Sequence, residues 1–432
     1  MNKNKAEAGD EVVVRTNKGE EKGTLLESHE SGILLLKLNS GYNIGIKKRD
    51  VEKIDILQKR KEEKETEEKR KFQREKPTIS VLHTGGTIAS SIDYRTGAVK
   101  PRITDKEFAS RFSEIYKKTN VRTRMVLQMF SEDMEPEHWI ILAKEIAKEM
   151  KKGVEGIIVT HGTDTMHYTS AALSFMLQNL GIPVLLVGAQ RSPDRGSNDS
   201  YLNMECAVKF ILETDFSGVA ICMHGSTSDD FCYIHQGNKV RKMHSSRRDA
   251  FQSINVKPIA KVYPDKIEFL RKDYKKKDKG RKLKLDSVFN KNIVLVKVHP
   301  GFSSHELKLY KQFKGIIFEG TGLGHLPATV LDKHTKDHSK ILKILKEFSK
   351  NKVMFMTTQT LFGRVDMNVY SSGRDLMKSG VIPLEDMLAE TAFVKLGWLL
   401  GHKNKGIEIV KQDMLKNIAG EFNPRLGAEF LE

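Results

Sequence analysis

The sequence predicts an α/β protein: a doubly wound parallel-sheet domain, a smaller C-terminal α/β domain, and a small SH3-like β-barrel in front. Three observations predict it. From Pro77 to about Lys266, short apolar runs alternate with stretches of helical period, the alternation that a parallel sheet requires. A shorter series of the same kind begins at Ile293. Ahead of both, residues 9–57 carry five short apolar runs separated by turn signals.

Those five runs contain Val12–Val14, Gly23–Leu26, Ile33–Leu36, Tyr42–Ile46 and Val51–Ile54, with turns at Asn17-Lys18-Gly19, Ser31-Gly32 and Ser40-Gly41. So many strands in so few residues fit a small barrel over residues 1–57, a module that binds or positions something. Residues 58–76 are nearly all Lys, Arg and Glu, with Phe72 the lone apolar side chain. Such a stretch has too little apolar surface to bury a core and is expected to be a charged linker or a solvated helix. In the next domain, 77–270, strands are expected at Ile79–His83, Arg124–Met129, Gly156–Thr160, Val184–Val187 and Val219–Met223. Helices are expected at Asp105–Lys118, after Pro136 (Trp139, Leu142, Ile146 and Met150 recur at helical spacing), at Ala171–Asn179 and at Tyr201–Leu212. Arg271–Lys284 holds nine Lys or Arg in fourteen positions and reads as a basic linker over 271–290. The last domain, 291–432, has strands at Ile293–Val298, Gly315–Phe318 and Val353–Met356, and helices near Ser339–Phe348 and Leu384–Leu400.

Composition narrows the function. Seventy-three Lys and Arg against 56 Asp and Glu give a net charge of +17, which favours a polyanionic neighbour such as RNA or reflects a lysine-rich background. No apolar run reaches the ~20 residues of a membrane helix. No apolar signal core follows Met1–Glu7, and Cys206, Cys222 and Cys232 show neither metal-ligand nor redox spacing. A cytoplasmic protein without a metal site is expected.

In open parallel sheets, ligands bind beyond the carboxyl ends of the strands. Three polar clusters fall there: Thr84-Gly85-Gly86-Thr87 after the first strand, Ser131-Glu132-Asp133-Met134 after the second, and His161-Gly162-Thr163-Asp164-Thr165 after the third. A threonine hydroxyl beside glycine backbone N–H groups suits a nucleophile with oxyanion donors. In the third cluster a hydroxyl next to a carboxylate can join a proton relay or hold a ligand amine; a helix N-cap is the plainer role for Asp164. His161 and His167 fit packing or capping better than ligation.

The two threonine motifs resemble the paired signatures of the bacterial-type L-asparaginase/glutaminase family, and Ser131-Glu132-Asp133-Met134 resembles its substrate-clamping Ser-Gln-Asp-Met. The resemblance implies Thr84 as nucleophile, Tyr94 on a lid over Ala89–Lys100, and a second triad of Thr163, Asp164 and Lys242. It implies Ser131, Glu132 and Asp164 as binders of the α-amino and α-carboxylate groups. Two departures stand out: Glu132 replaces the usual glutamine, and Gly322-Leu323-Gly324-His325 replaces Gly-Asn-Gly-Asn.

With the barrel and linker included, the whole chain resembles the D subunits of archaeal-type glutamyl-tRNA(Gln) amidotransferases. That implies an amidase subunit releasing ammonia from glutamine or asparagine. It implies a partner, the E subunit of the amidotransferase, that binds tRNA(Gln) and uses ATP and Mg to convert Glu-tRNA(Gln) to Gln-tRNA(Gln). No cofactor is expected in this chain, whose Thr84-Gly85-Gly86-Thr87 lacks the Gly-Lys-Ser/Thr ending of a phosphate loop. A homodimer within a heterotetramer is the expected assembly. The alternative function is a stand-alone cytoplasmic L-asparaginase/glutaminase with an accessory barrel.

Overall fold

The computed structural model describes residues 6–28, 30–59, 72–86, 88, 91–92, 99–100, 105–191 and 196–427. The N-terminal β domain is a five-stranded antiparallel sheet in the order Asn43–Lys47, Ile33–Leu38, Gly19–Leu26, Glu11–Thr16, Val51–Gln58. Alternation along the strands puts Val12, Val14, Leu25, Leu34 and Leu36 into a small core of their own.

The main body is built on a parallel sheet. Strands Asn120–Met129, Thr78–Gly85, Gly156–Thr160, Pro183–Val187 and Phe216–His224 lie side by side in that order. Cys232–Gln236, Ala260–Val262 and Ile267–Phe269 extend it antiparallel. The central strands are apolar on both faces, as burial on both sides demands. Ile157, Val159 and Leu186 point to the layer holding helices Pro136–Met150 and Met166–Met176. Ile79, Val81, Ile158 and Leu185 point to the layer holding helix Ser200–Glu213. Thr160 pairs with His83 on one side and Val187 on the other, so three strands end at one level. That level is where the polar clusters sit.

The second body has four parallel strands, Ile293–Lys297, Gly315–Gly320, Val353–Thr358 and Val381–Pro383. Its helix Ala389–Leu400 packs on Met166–Met176 of the first body, stacking Trp398 on Phe175 at 5.7 Å between ring centroids. Among the described residues no helix is long and apolar enough to cross a membrane.

Three elements depart from the sequence pattern. The helix expected over Asp105–Lys118 is two, Asp105–Arg111 and Ser113–Lys118, because Phe112 leaves helical geometry (φ −114°, ψ 36°) to pack against Phe108. The helix expected from Ala171 starts earlier, at Met166, and ends at Met176, where Leu177–Gln178 pairs with Lys284–Leu285. The one expected from Leu384 starts at Ala389, because Glu385 adopts a left-handed turn (φ 51°) after Leu384 bonds Met356. The basic tract runs along the first body as a strap. Lys275–Lys276 pairs with Phe216–Ser217, Arg281 donates to the Leu180 carbonyl at 3.0 Å, and Lys277 donates to that of Ile211 at 3.0 Å.

A buried ion pair joins the two bodies. Lys239 Nζ lies 2.6 Å from Asp386 Oδ2, with both side chains fully buried. Asn423 donates two further bonds to the same carboxylate, at 3.0 and 2.8 Å. Removing one partner of such a pair strands the other charge in a dry interior, which costs about 3–5 kcal/mol. Asp386→Ala is therefore expected to lower the stability of the chain by about that amount in denaturant titration. A loss below ~1 kcal/mol would show that water reaches the pair.

Candidate active site

The first strand ends in Thr84, which is 1% exposed and donates its hydroxyl proton to the Thr160 carbonyl at 2.9 Å. Gly85 and Gly86 follow with φ of +110° and +78°, a region that side chains rarely adopt. A Cβ on Gly86 would fall 2.7 Å from Gly162 Cα, and one on Gly162 would fall 2.7 Å from Ser131 Cβ and 2.8 Å from its hydroxyl. The three strand-end turns therefore touch through glycine, Gly86 against the Gly162 backbone and Gly162 against the Ser131 side chain. Thr165 closes the same contact by donating to the Ser131 carbonyl at 2.6 Å.

The third turn carries the densest polar group. Lys242, on the hairpin strand Val240–Lys242, places Nζ 2.8 Å from Thr163 Oγ1 and 2.7 Å from Asp164 Oδ1. The lysine side chain is 8% exposed and the carboxylate 64%, so Asp164 stays open to a ligand while Lys242 is enclosed. Thr163 donates its own proton to Gln190 Oε1 at 3.3 Å. Gln190 follows the fourth strand, at the same edge of the sheet. Its turn is held by Asp199, whose carboxylate accepts the Gln190 N–H at 3.0 Å and the Arg191 N–H at 2.9 Å. Asn203 donates to the Gly188 carbonyl at 3.0 Å.

Burial keeps the nearby histidines neutral. His161 is pushed down to about 4 by desolvation, its ring held by the Gly162 carbonyl at 2.6 Å and the Thr169 hydroxyl at 2.9 Å. His167 is pushed down to about 3, first by desolvation and then by Arg241 and Lys242. Arg241 points away from Lys242 along their strand and meets Glu390 of the second body at 3.1 Å. Desolvation raises the Glu390 carboxyl above its ordinary range while Arg241 opposes the rise.

The structure thus brings together Thr84, Ser131, Thr163, Asp164 and Lys242 around one edge. Glu132 sits on the short 3-10 turn Ser131–Asp133 with an exposed side chain. Tyr94 and most of the loop Ala89–Lys100 lie outside the described residues. His325 stands in the second body against Tyr370, 5.5 Å between ring centroids. Sequence reasoning passed over Gln190 and Asp199, although the rule that singled out the other three turns applies equally to the turn after Val187. Among the described residues, no cluster of His, Cys, Asp and Glu can hold a metal ion.

Three family models match successive parts of the chain. Residues 78–275 match the family model described as Asparaginase, N-terminal, and 292–412 match the Glutaminase/Asparaginase C-terminal domain. Residues 6–57 match the GatD N-terminal domain. The glutamyl-tRNA(Gln) amidotransferase D subunit of Pyrococcus furiosus is 46% identical over 97% of this chain and 95% of its own length. The chain belongs to the family of glutamyl-tRNA(Gln) amidotransferase D subunits. The D subunit of Thermococcus kodakarensis is likewise 46% identical, over 96% of this chain and 94% of its own, and that of Methanococcus maripaludis strain C7 is 44% identical over 98% and 99%. Among solved structures, the thermostable L-asparaginase of Thermococcus kodakarensis superposes with a TM-score of 0.71 at 31% identity, covering 81% of this chain and all of that one. L-asparaginase I of Vibrio cholerae gives 0.69 at 28%, covering 81% and 99%. As a member of the D-subunit family, the chain is an enzyme subunit with an asparaginase-like amidase body behind an added β domain.

If the glycine contact sets the site, Gly86→Ala must push the first turn off the third. A displacement of ~1 Å at a catalytic centre costs about 100-fold in rate. Gly86→Ala is expected to lower amide hydrolysis by about 100-fold or more while the chain still folds, checked by ammonia release and circular dichroism. Full activity would show that the turns need not touch.

Proposed function

We propose that this chain hydrolyses the side-chain amide of glutamine or asparagine through Thr84 and supplies the ammonia to a partner subunit. The observation that carries the reading is the convergence at one sheet edge. Lys242 reaches both Thr163 and Asp164, and Thr84 ends the neighbouring strand. In this mechanism the Thr84 oxygen attacks the amide carbon, and backbone N–H groups of the glycine turn stabilise the oxyanion. The C–N bond breaks, ammonia leaves with the proton it gains, and the acyl group stays on Thr84 as an ester. Water then attacks the ester, releasing glutamate or aspartate and restoring the hydroxyl. Thr163, Asp164 and Lys242 form the relay that moves protons in these steps, Lys242 acting as base when uncharged. Ser131, Glu132 and Asp164 hold the α-carboxylate and α-amino ends of the substrate, and Tyr94 belongs to the closing lid.

The names of the relatives support the second half of the reading: each is the D subunit of a glutamyl-tRNA(Gln) amidotransferase. The ammonia is taken up by a partner, the E subunit, that binds tRNA(Gln) and spends ATP with Mg to activate the glutamyl group. This chain sits as a homodimer within a heterotetramer, in the cytoplasm.

Ammonium bypass separates the two halves of the claim. With the partner and Glu-tRNA(Gln) present, Thr84→Ala and Thr163→Ala are each expected to abolish Gln-tRNA(Gln) formation from glutamine and to leave formation from added ammonium chloride intact. Amidation from glutamine that survives Thr84→Ala would remove the nucleophile assignment. Vigorous glutamine hydrolysis by the chain alone, unchanged by partner and tRNA, would favour a stand-alone asparaginase/glutaminase.

A further inference from the structure

Gln190 stands next to the proposed relay with one hydrogen-bonding group in use and one left over. Its side chain is half-buried, Oε1 is 3.3 Å from Thr163 Oγ1, and Nε2 is buried without a hydrogen-bond partner among the described residues. The donor count fixes which way the amide faces. A lysine ammonium only donates, so Thr163 Oγ1 accepts from Lys242 at 2.8 Å, and the threonine proton needs an acceptor elsewhere. With Oε1 toward Thr163, that proton is satisfied and only the Gln190 N–H donors are left over. With the amide reversed, both the threonine proton and the Gln190 oxygen lose their partners, which is the costlier arrangement.

The glutamine is also braced in a way that a passive filler would not need. Asp199, 1% exposed, accepts both the Gln190 and the Arg191 N–H groups. Asn203 holds the Gly188 carbonyl at 3.0 Å, and His224 Nδ1 lies 2.6 Å from Asn203 Oδ1. Gly188 lies so close that a Cβ there would fall 2.9 Å from Thr163 Cγ2. Three buried polar side chains thus fix the turn that aims Gln190 at Thr163.

Resting on the reading of Thr163 as a relay group, we infer that Gln190 is a positioning residue that fixes the hydroxyl rotor of Thr163. It turns the threonine proton away from Lys242 and leaves the lysine-facing lone pair of Thr163 in place. The Thr163 hydroxyl then starts each cycle from one orientation while Lys242 is charged, where an unheld hydroxyl would turn among three staggered positions.

The test uses the full chain in complex with its partner and Glu-tRNA(Gln), with glutamine as the varied substrate. Gln190→Met removes the acceptor at similar size. It is expected to lower kcat about 10-fold, the scale of one hydrogen bond, with KM within about threefold and the melting temperature unchanged. Gln190→Glu keeps the acceptor but sets a second carboxylate beside Lys242. Among the described residues, the other charged or titratable groups near that lysine are Asp164, which it touches, the neutral His161 and His167, and, pointing away from it, Arg241 with its Glu390 partner. None of these changes in the variant, so Gln190→Glu is expected to recover the rate at high pH and lose it at low pH. Its acid-side limb should move up by about one unit. A role in structure alone would lower both variants equally at every pH; that result, or two variants indistinguishable from the parent, overturns the inference. Thr163→Ala serves as the control: if it keeps full activity, the relay reading itself fails, whatever the Gln190 variants do.

Discussion

The contact on which this molecule depends is the close approach of Gly86 to Gly162 and of Gly162 to Ser131. Parallel register ends three strands at one level, but level ends alone would leave the turns separated by the width of their side chains. Glycine removes that width. Thr84 and Thr163 are then carried on closely approaching backbones, with the Ser131 side chain against Gly162, all anchored to a sheet whose central strands are wholly buried. A site carried on the ends of rigid strands keeps its geometry.

The same logic explains why the second body matters to a site that it does not house. Lys242 comes from a hairpin beyond the parallel sheet, and nothing in the parallel register fixes that hairpin. It is fixed from the other side. Lys239 pairs with Asp386, the Asn238 carbonyl accepts from Thr391 at 2.9 Å, and Arg241 meets Glu390. Taking these charges out of water is costly, and the cost is offset only in one arrangement of the two bodies. That arrangement carries Lys242 to 2.8 Å from Thr163.

Much of this was legible in the sequence because it rests on local chemistry. Gly85 and Gly86 after an apolar run marked a tight turn, and the period of Trp139, Leu142 and Ile146 marked the helix that covers the sheet. The three motifs at one sheet edge followed from counting strand ends. What escaped was set by distant partners. Glu385 takes a left-handed turn (φ 51°) that no local pattern announces, and so shortens the helix expected from Leu384. The basic tract 271–284 looked like a free segment because its bonds run to Leu180, Ile211 and the strand at Phe216, which composition does not encode. Gln190 was missed for another reason. Gly188 and Ala189, which open its turn, carry no polar side chain, and what Gln190 touches there shows only in the distance to Thr163.

The central claim is that Thr84 bears the acyl group and Thr163 does not. The most direct measurement is mass-spectrometric mapping of the chain after reaction with a glutamine analogue whose acyl ester is not hydrolysed. The account predicts that the added mass lies on the peptide containing Thr84 and is lost in Thr84→Ala. An adduct on Thr163 with Thr84 unmodified would contradict it.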